Sequence, residues 1–557
     1  MRAQAISLAL VVACGGAGSQ NDGGANDAGD ASVADVGAAD VSVDAPVPPP
    51  PSATCTAPIS PPDTSKPTTV VGTGTAASCT ETALTAAIAQ GGIVTFDCGG
   101  AATISITKTL DLRTDVDTTI DGGGKVTLDG GGAVQIMSFN HADYRKNTTL
   151  LTLMNLTLAH GKNHGTMAYA PAPAPCSQGF YDGYAGALFV RDGEVAIFDT
   201  VFDGNQAEEL GPDVGGGGGA ISLQGVLKAT IVGSTFVNGL ASNGGAIESL
   251  NSDFDVYNSI FDTNVATGNG ANSDDAGKCS VVATNGQHQV GSGGNGGAVA
   301  IDGGSDGTHT FCGSVFKNNQ AGSAALAGAI GRTPDGAKQT TILDRCTFDG
   351  NQAAQGGGGA LYFHNSTLQV HGSTFHANVA KGCGAIQADG TTFDLVNDTF
   401  EGNQTNASGA VGGAICLFGG DGTLDNVTIA NGKVDGFGAA IFGNPTLTIQ
   451  NSLFANNVGN NAGAPMQCQV TATGSNNLQF PAKHTSGGAA DTPCVPGITF
   501  ADPMLASLGD NGGPTQTMLV QTGSPALGLG QTCPATDQRG TTRPASGCTS
   551  GATEGTK

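Results

Sequence analysis

Few residues in this 557-residue chain have the types and spacing that chemistry needs. Asp253 and Asp255 are the best-placed carboxylates. Strand alternation puts both on the side opposite Phe254, facing out. A glycosidase needs two carboxyl groups about 5–9.5 Å apart, and a lyase needs a basic group beside a carboxylate or Ca²⁺ clamp. Asp394 falls in the column of Asp255, but four repeats on, about 19 Å at strand spacing. Thr310, Ile342 and Gln369 stand between, so no carboxylate ladder forms and a solvated face is expected. His160 and His164 sit four apart in a Gly-rich loop, where that spacing does not bring them to one side as it would on a helix. His364, His371 and His376 cluster by number and are expected on an exposed face. Asp302-Gly-Gly-Ser-Asp306-Gly offers oxygen ligands but lacks EF-hand spacing and reads as an Asp-Gly turn. No Cys-x-x-Cys pair or nucleotide loop occurs. No catalytic, cofactor-binding or metal residue is assigned, and no cofactor is expected.

The elements that would position such groups are repeats. Phe202, Phe236, Phe261, Phe316, Phe348, Phe375, Phe400, Ile429 and Phe454 each follow an apolar residue by five positions, from Ile197 to Ile449. Three residues after most of them stands Asn: Asn205, Asn264, Asn319, Asn351, Asn378, Asn403 and Asn457, with Asn238 and Asn431 one residue early. Between them recurs Gly-Gly-Ala-(Ile/Val/Leu), as at Gly218–Ile221, Gly244–Ile247 and Gly358–Leu361. Intervals of 25 to 34 residues, with one of 55, match rungs of a parallel solenoid and not helical repeats. The five-residue gap is odd, so alternation would send its two apolar columns to opposite faces. A turn must intervene, and the residue three before each Phe is Asp, Gly or Asn, types that accept left-handed backbone; Arg345 is the exception. The reading is all-β: a parallel β-solenoid with an N-terminal cap helix where Leu84, Ala87 and Ile88 follow Cys79-Thr80-Glu81.

Composition fits this reading, with 90 Gly, no Trp and 12% charged residues. A net charge of −25 disfavours nucleic acid, whose phosphates need Lys and Arg. Arg2 precedes an apolar run ending Leu10-Val11-Val12-Ala13-Cys14, too short to span a membrane. That run resembles a bacterial lipobox, which implies a signal peptide over 1–13 and lipid attachment at Cys14. Residues 15–54 carry six Asp and no Lys or Arg, so 14–78 reads as the lipidated Cys and a disordered Asp/Ala/Pro-rich linker. The β-helix is expected over 79–500 and a capping segment over 501–557. Without Cys14 the cysteine count is 13, so at least one thiol lacks an intramolecular partner. Cys79 with Cys98, Cys468 with Cys494 and Cys533 with Cys548 are neighbouring candidates. Interruptions at 159–185 and 266–294 are candidate recognition loops.

The Ile120-Asp121-Gly122-Gly123 start and the tail (Asp510-Asn511-Gly512-Gly513-Pro514-Thr515, Gly523-Ser524-Pro525-Ala526, Asp537-Gln538-Arg539-Gly540) resemble right-handed parallel β-helix proteins with a choice-of-anchor Q-type C-terminal region, which implies an all-β, single-stranded right-handed parallel β-helix, a pectate-lyase-like solenoid. The Gly-Gly-Ala-Ile and Phe-x-x-Asn repeats are also similar to passenger repeats of polymorphic outer membrane proteins, which are surface adhesins. The closing Cys548–Glu554 run lacks the Asp and Phe of the choice-of-anchor pattern. The resemblance implies an exported, lipid-anchored protein at the bacterial outer membrane or cell surface, used for adhesion or glycan binding. The alternative is a polysaccharide lyase or glycoside hydrolase on the same scaffold. Surface glycans or other cell-surface molecules are the expected partners, the lipid the sole membrane contact, and a monomer the expected state.

Overall fold

The computed structural model describes residues 54–164, 184–207, 217–268, 281–282, 288–289, 294–302, 307–322, 325–332, 339–485 and 488–556. All of them belong to the compact unit Val47–Lys557. The expected signal peptide, Cys14, the linker up to 53, most of both loop interruptions and the 303–306 turn lie outside the described residues.

The unit is a parallel β-helix with three sheet faces, each rung adding a strand to each face in register. The first face runs through Glu194–Phe198, Lys228–Val232, Phe254–Tyr257 and Thr308–Cys312 to Ala472–Ser475. The Phe face runs from Val201–Asp203 through Thr235–Val237 to Leu478–Phe480. The third face begins each strand at the Ile, Leu or Val of the Gly-Gly-Ala motif, from Ile221–Gln224 to Ile441–Gly443. Inside, Phe202, Phe236, Phe261, Phe316, Phe348, Phe375 and Phe400 stack with ring centroids 4.5–5.0 Å apart and planes within 8°.

The corner between the first and Phe faces is where the odd spacing is resolved. Asp199, Asn258, Asn397, Asn426 and Asn451 all take positive φ there, and so does Arg345 at φ 53. Arg345 is held in that unfavourable conformation by Asp344, by the Thr54 carbonyl at 3.1 Å and by the Cys312 sulfur at 3.4 Å. At the next corner the amides form a buried ladder. Asn319 donates Nδ2 to Asn351 Oδ1 (2.9 Å) and to the Phe261 carbonyl (2.9 Å), and its own Oδ1 receives the Asn264 backbone N–H (3.0 Å). Asn351, Asn378 and Asn403 continue the pattern. Asn238 and Asn431 are not members: with φ 56 and 57 they fill the left-handed position two residues after the aromatic, and Gly239 and Gly432 occupy the ladder. A third column went unread in the sequence. Two residues before the aromatic, Ser234, Ser259, Ser314, Ser373 and Ser452 bond rung to rung through hydroxyls. Cys346 takes a serine's place there, which buries its thiol and pushes it up to about 12.

The helix α1 (Glu81–Ile88) forms as expected, with Thr80 accepting from the Ala83 N–H and Leu84, Ala87 and Ile88 turned to the core. Two boundaries differ from expectation. Residues 54–78 are not linker. Cys55 is disulfide-bonded to Cys312, Thr64 Oγ1 donates to Asp121 (2.7 Å), and Thr69–Val71 pairs with 94–96. Nor does 501–556 cap the end. The coil is closed there by Cys494 and Val495, with Gln479 standing in the Phe column to bond the Cys494 N–H (2.8 Å) and Asp491 (2.9 Å). The tail instead turns back along the first corner and the outside of the Phe face. Asn397 donates to Thr536 O, Asn426 to Thr549 O and Asn451 to Gln531 O. Gln538, buried, bonds Thr399 and Thr374. The reason shows in the outward residues of those rungs. Ala430, Leu453, Ala455 and Leu478 are apolar and pack against Met518, Val520 and Ala526, whereas Asp203, Asp262 and Lys317 occupy the outward side on earlier rungs.

Two of these contacts predict measurable losses. Phe348→Ala should cost about 3–5 kcal/mol, read as a lower denaturation midpoint at unchanged fold by circular dichroism. Asn351→Ala strands buried groups on both neighbouring rungs at about 1–3 kcal/mol each, and Asn351→Asp should not rescue it, because a carboxylate cannot donate.

Candidate functional site

On the first face the outward column reads Thr230, Asp255, Thr310, Ile342, Gln369 and Asp394, as alternation requires. Its carboxylates are engaged, which corrects the expectation of an open solvated group. Asp255 accepts from Lys228 Nζ (2.6 Å) and the Thr310 N–H (2.9 Å) and is buried. Asp253 meets Arg145 at 3.2 Å, and Arg145 also donates to the Asn251 carbonyl. Arg145 comes from a clasp over 141–147, fastened where Asp192 accepts the N–H groups of Lys146 and Asn147. Beneath them His309 faces the core 4.8 Å from the Phe254 ring, and burial drives its pKa down to about 4, so it is neutral at pH 7. Asp394 takes a hydrogen bond from Thr423 and lies 3.5 Å from His371.

The three histidines close in number are carried to three faces. His364 ends a third-face strand, His371 ends a first-face strand and His376 ends a Phe-face strand. His376 is the most engaged. Its Nδ1 lies 2.7 Å from Asp349 and its Nε2 3.3 Å from Glu401, on the rungs before and after. The Asp349 hydrogen bond holds His376 above the ordinary histidine range, and the same bond holds Asp349 below the usual carboxylate range. His160 lies 3.2 Å from Asp129. Across the first and Phe faces, acids and histidines thus bind one rung to the next.

One strongly perturbed carboxyl is a residue the sequence reading passed over. Glu248 sits on the third face, 7% exposed, accepting from Ser222 Oγ at 2.9 Å. Burial raises its pKa to about 8, with Asp302 adding to the shift, so it is a neutral acid at pH 7. Aligning the repeats would have found it, since the equivalent positions hold Ser222, Ala300, Gly331, Tyr362, Gln387 and Cys416. Two rungs beyond Gly331, Asp389 is also raised by burial, eased by bonds from Gln387 and Tyr362. Cys55, Cys312 and Asp344 offer ligand atoms within 4.8 Å of one another. The two sulfurs share a disulfide and Asp344 pairs with Arg345 at 2.6 Å, so this set does not suit a metal ion.

Similarity to known proteins follows the rungs. The Chlamydia polymorphic membrane protein repeat matches residues 199–224 and 345–364. Both windows open at the left-handed corner residue, Asp199 or Arg345, and close on a third-face strand. The chain is a parallel β-helix whose rungs resemble polymorphic membrane protein repeats. Among solved structures, that of PfbA, a surface adhesin of Streptococcus pneumoniae, is 12% identical and covers 72% of this chain and 93% of its own, at a TM-score of 0.34. At that score the likeness carries no argument. No curated protein matches the chain.

Two pH dependences follow. The His376–Asp349 pair contributes most between about pH 4 and 6.5. Its contribution is lost as pH rises through the raised His376 pKa, and lost again as pH falls through the lowered Asp349 value. His376→Gln should flatten stability against pH above 6 in urea titrations. Glu248 works in the opposite direction: the folded state holds a proton that the unfolded state releases, so stability falls as pH rises from about 4.5 to about 8. Glu248→Gln should remove that slope and leave the protein more stable at pH 8, by an amount on the order of a few kcal/mol.

Proposed function

We propose that this protein is displayed on the bacterial surface and works by binding, with the β-helix as a rigid scaffold whose polar faces contact surface glycans or other cell-surface molecules. One observation carries the reading. The acids on the first and Phe faces are spent in bonds between adjacent rungs (Lys228–Asp255, Asp349–His376–Glu401), leaving extended faces of paired charge and Thr side chains. Such a face suits shallow contact over many rungs better than bond cleavage at one point. Five disulfides among the described residues fit an exported protein. The repeat type it shares with polymorphic membrane proteins supports an envelope location. Lipid at Cys14 is the anchor in this reading, and the net charge of −25 argues against nucleic acid as partner. The tail resembling a choice-of-anchor Q region acts here as a strap on the coil's flank.

A second reading, a polysaccharide-cleaving enzyme, draws on Glu248, a carboxylic acid kept protonated near neutral pH as a general acid must be. The two separate cleanly. The protein should be retained on one polysaccharide or on cell surfaces, and should release neither reducing ends nor unsaturated products from a polysaccharide panel with Ca²⁺. Release abolished by Glu248→Gln or Asp255→Asn would make it an enzyme. Cys14→Ala should move the protein from the membrane to the soluble fraction; an unchanged distribution would remove the lipid anchor from this reading.

A further inference from the structure

The described part of the folded unit begins on its flank, not at its end. Thr54 and Cys55 lie at the first corner, where their N–H groups both donate to Asn258 Oδ1 (2.9 Å each) and Asn258 Nδ2 returns a bond to the Cys55 carbonyl (2.8 Å). The Thr54 carbonyl accepts from Arg345, and Cys55 is joined to Cys312 across a separation of 257 residues. By Thr64 the chain has reached Asp121, and by Thr69 it pairs with Val94. Between those two points the first face is built of strands at 118–121, 150–154, 194–198, 228–232, 254–257 and 308–312. Those six strands are five steps apart, about 24 Å at strand spacing. The nine residues from Cys55 to Thr64, with Pro58, Pro61 and Pro62 among them, reach about 30 Å when extended. The segment is therefore a taut strap laid backwards along the coil, and Pro suits it because it stiffens an extended chain.

We propose that the protein is loaded from its flank: a pull on the residues before Thr54 enters the coil midway, through the Cys55–Cys312 bond, and by-passes the strap and the rungs between Asp121 and Cys312. The biological sense of this rests on the N-terminal anchor proposed above, but the load path itself does not. Hydrogen bonds at the same corner would give way one at a time as the strap peeled. A covalent bond to the strand Thr308–Cys312 passes the force directly into a rung with neighbours on both sides.

Single-molecule stretching tests the load path. The full chain carrying Cys14→Ser, so that it is recovered without lipid, is held by handles at its termini under oxidising conditions. Residues 56–311 should contribute no extension. In the Cys55→Ser/Cys312→Ser double variant they should lengthen the trace by up to about 800 Å, the reach of the 257-residue loop less the 19 residues that Cys79–Cys98 keeps closed, with the first rupture at lower force. Asn258→Ala, which keeps the bond, should extend no further than the parent. Equal extension in parent and double variant would overturn the proposal. So would Asn258→Ala extending like the double variant, since hydrogen bonds would then be carrying the load. If the double variant does not fold, a thiol reductant added to the folded parent during the pull should release the same loop, together with the 19, 33, 26 and 15 residues closed by the other described disulfides. Failure of the lipid anchor would show in membrane fractionation and leave this result untouched.

Discussion

Each rung of this coil can close only if its backbone enters the left-handed region between the first face and the Phe face. An apolar residue and an aromatic five positions apart must both point inward, and two-residue alternation alone would turn one of them out. One left-handed residue between them restores the phase. Its cost is small for Gly and modest for Asn or Asp, whose side chains can also bond the local backbone. That choice then shapes the outside of the molecule. A corner Asn offers an amide to solvent, and both terminal segments use it: Asn258 holds residues 54–55, and Asn397, Asn426 and Asn451 hold the tail. A corner Gly offers only its carbonyl, as Gly372 does to Thr515 at 2.8 Å.

The second constraint is that polar atoms inside a solenoid have few partners except their own copies. The amide ladder from Asn264 to Asn403 answers this with two donors and an acceptor per side chain, each used on an adjacent rung. Where the pattern breaks, the interior carries the consequence. His309 stands in the column of Phe254, and burial leaves it neutral. Asp398 takes a place in the serine column, accepts the Ser373 N–H at 2.7 Å, and is raised well above the ordinary carboxyl value by burial. Such groups are exceptions in a column and not the makings of a catalytic cluster. This bears on function, because a strongly shifted carboxyl in this fold marks a broken repeat as readily as an active site.

The solvent faces follow the same economy of charge. Few charged residues are available, and those on the first and Phe faces are used between rungs, as in Lys228–Asp255 and His376 between Asp349 and Glu401. Where the outward side turns apolar, at Ala430, Leu453, Ala455 and Leu478, the tail covers it. The tail also bonds the outward threonines of the Phe face, Thr374 and Thr399 through Gln538 and Thr428 through the Ala552 N–H. The remaining polar surface is therefore regular, with its charges locally compensated.

Repetition made the rung legible from the chain alone. The Phe, Asn and Gly-Gly-Ala columns, the left-handed corner and the cap helix from Thr80 to Ile88 all follow from spacing and residue type, because neighbours in a solenoid are neighbours by period. The column shared by Asp255 and Asp394 was countable in the same way. What fell outside the period was decided by tertiary structure. Cys55 pairs with Cys312 and the tail folds back onto the corner because those contacts join segments up to 257 residues apart, which no local pattern encodes. Glu248 became a neutral acid only when the fold buried its side chain, since the same residue in water would be ionised. His364, His371 and His376, adjacent in number, were separated because one rung of about 25 residues visits three faces before it returns.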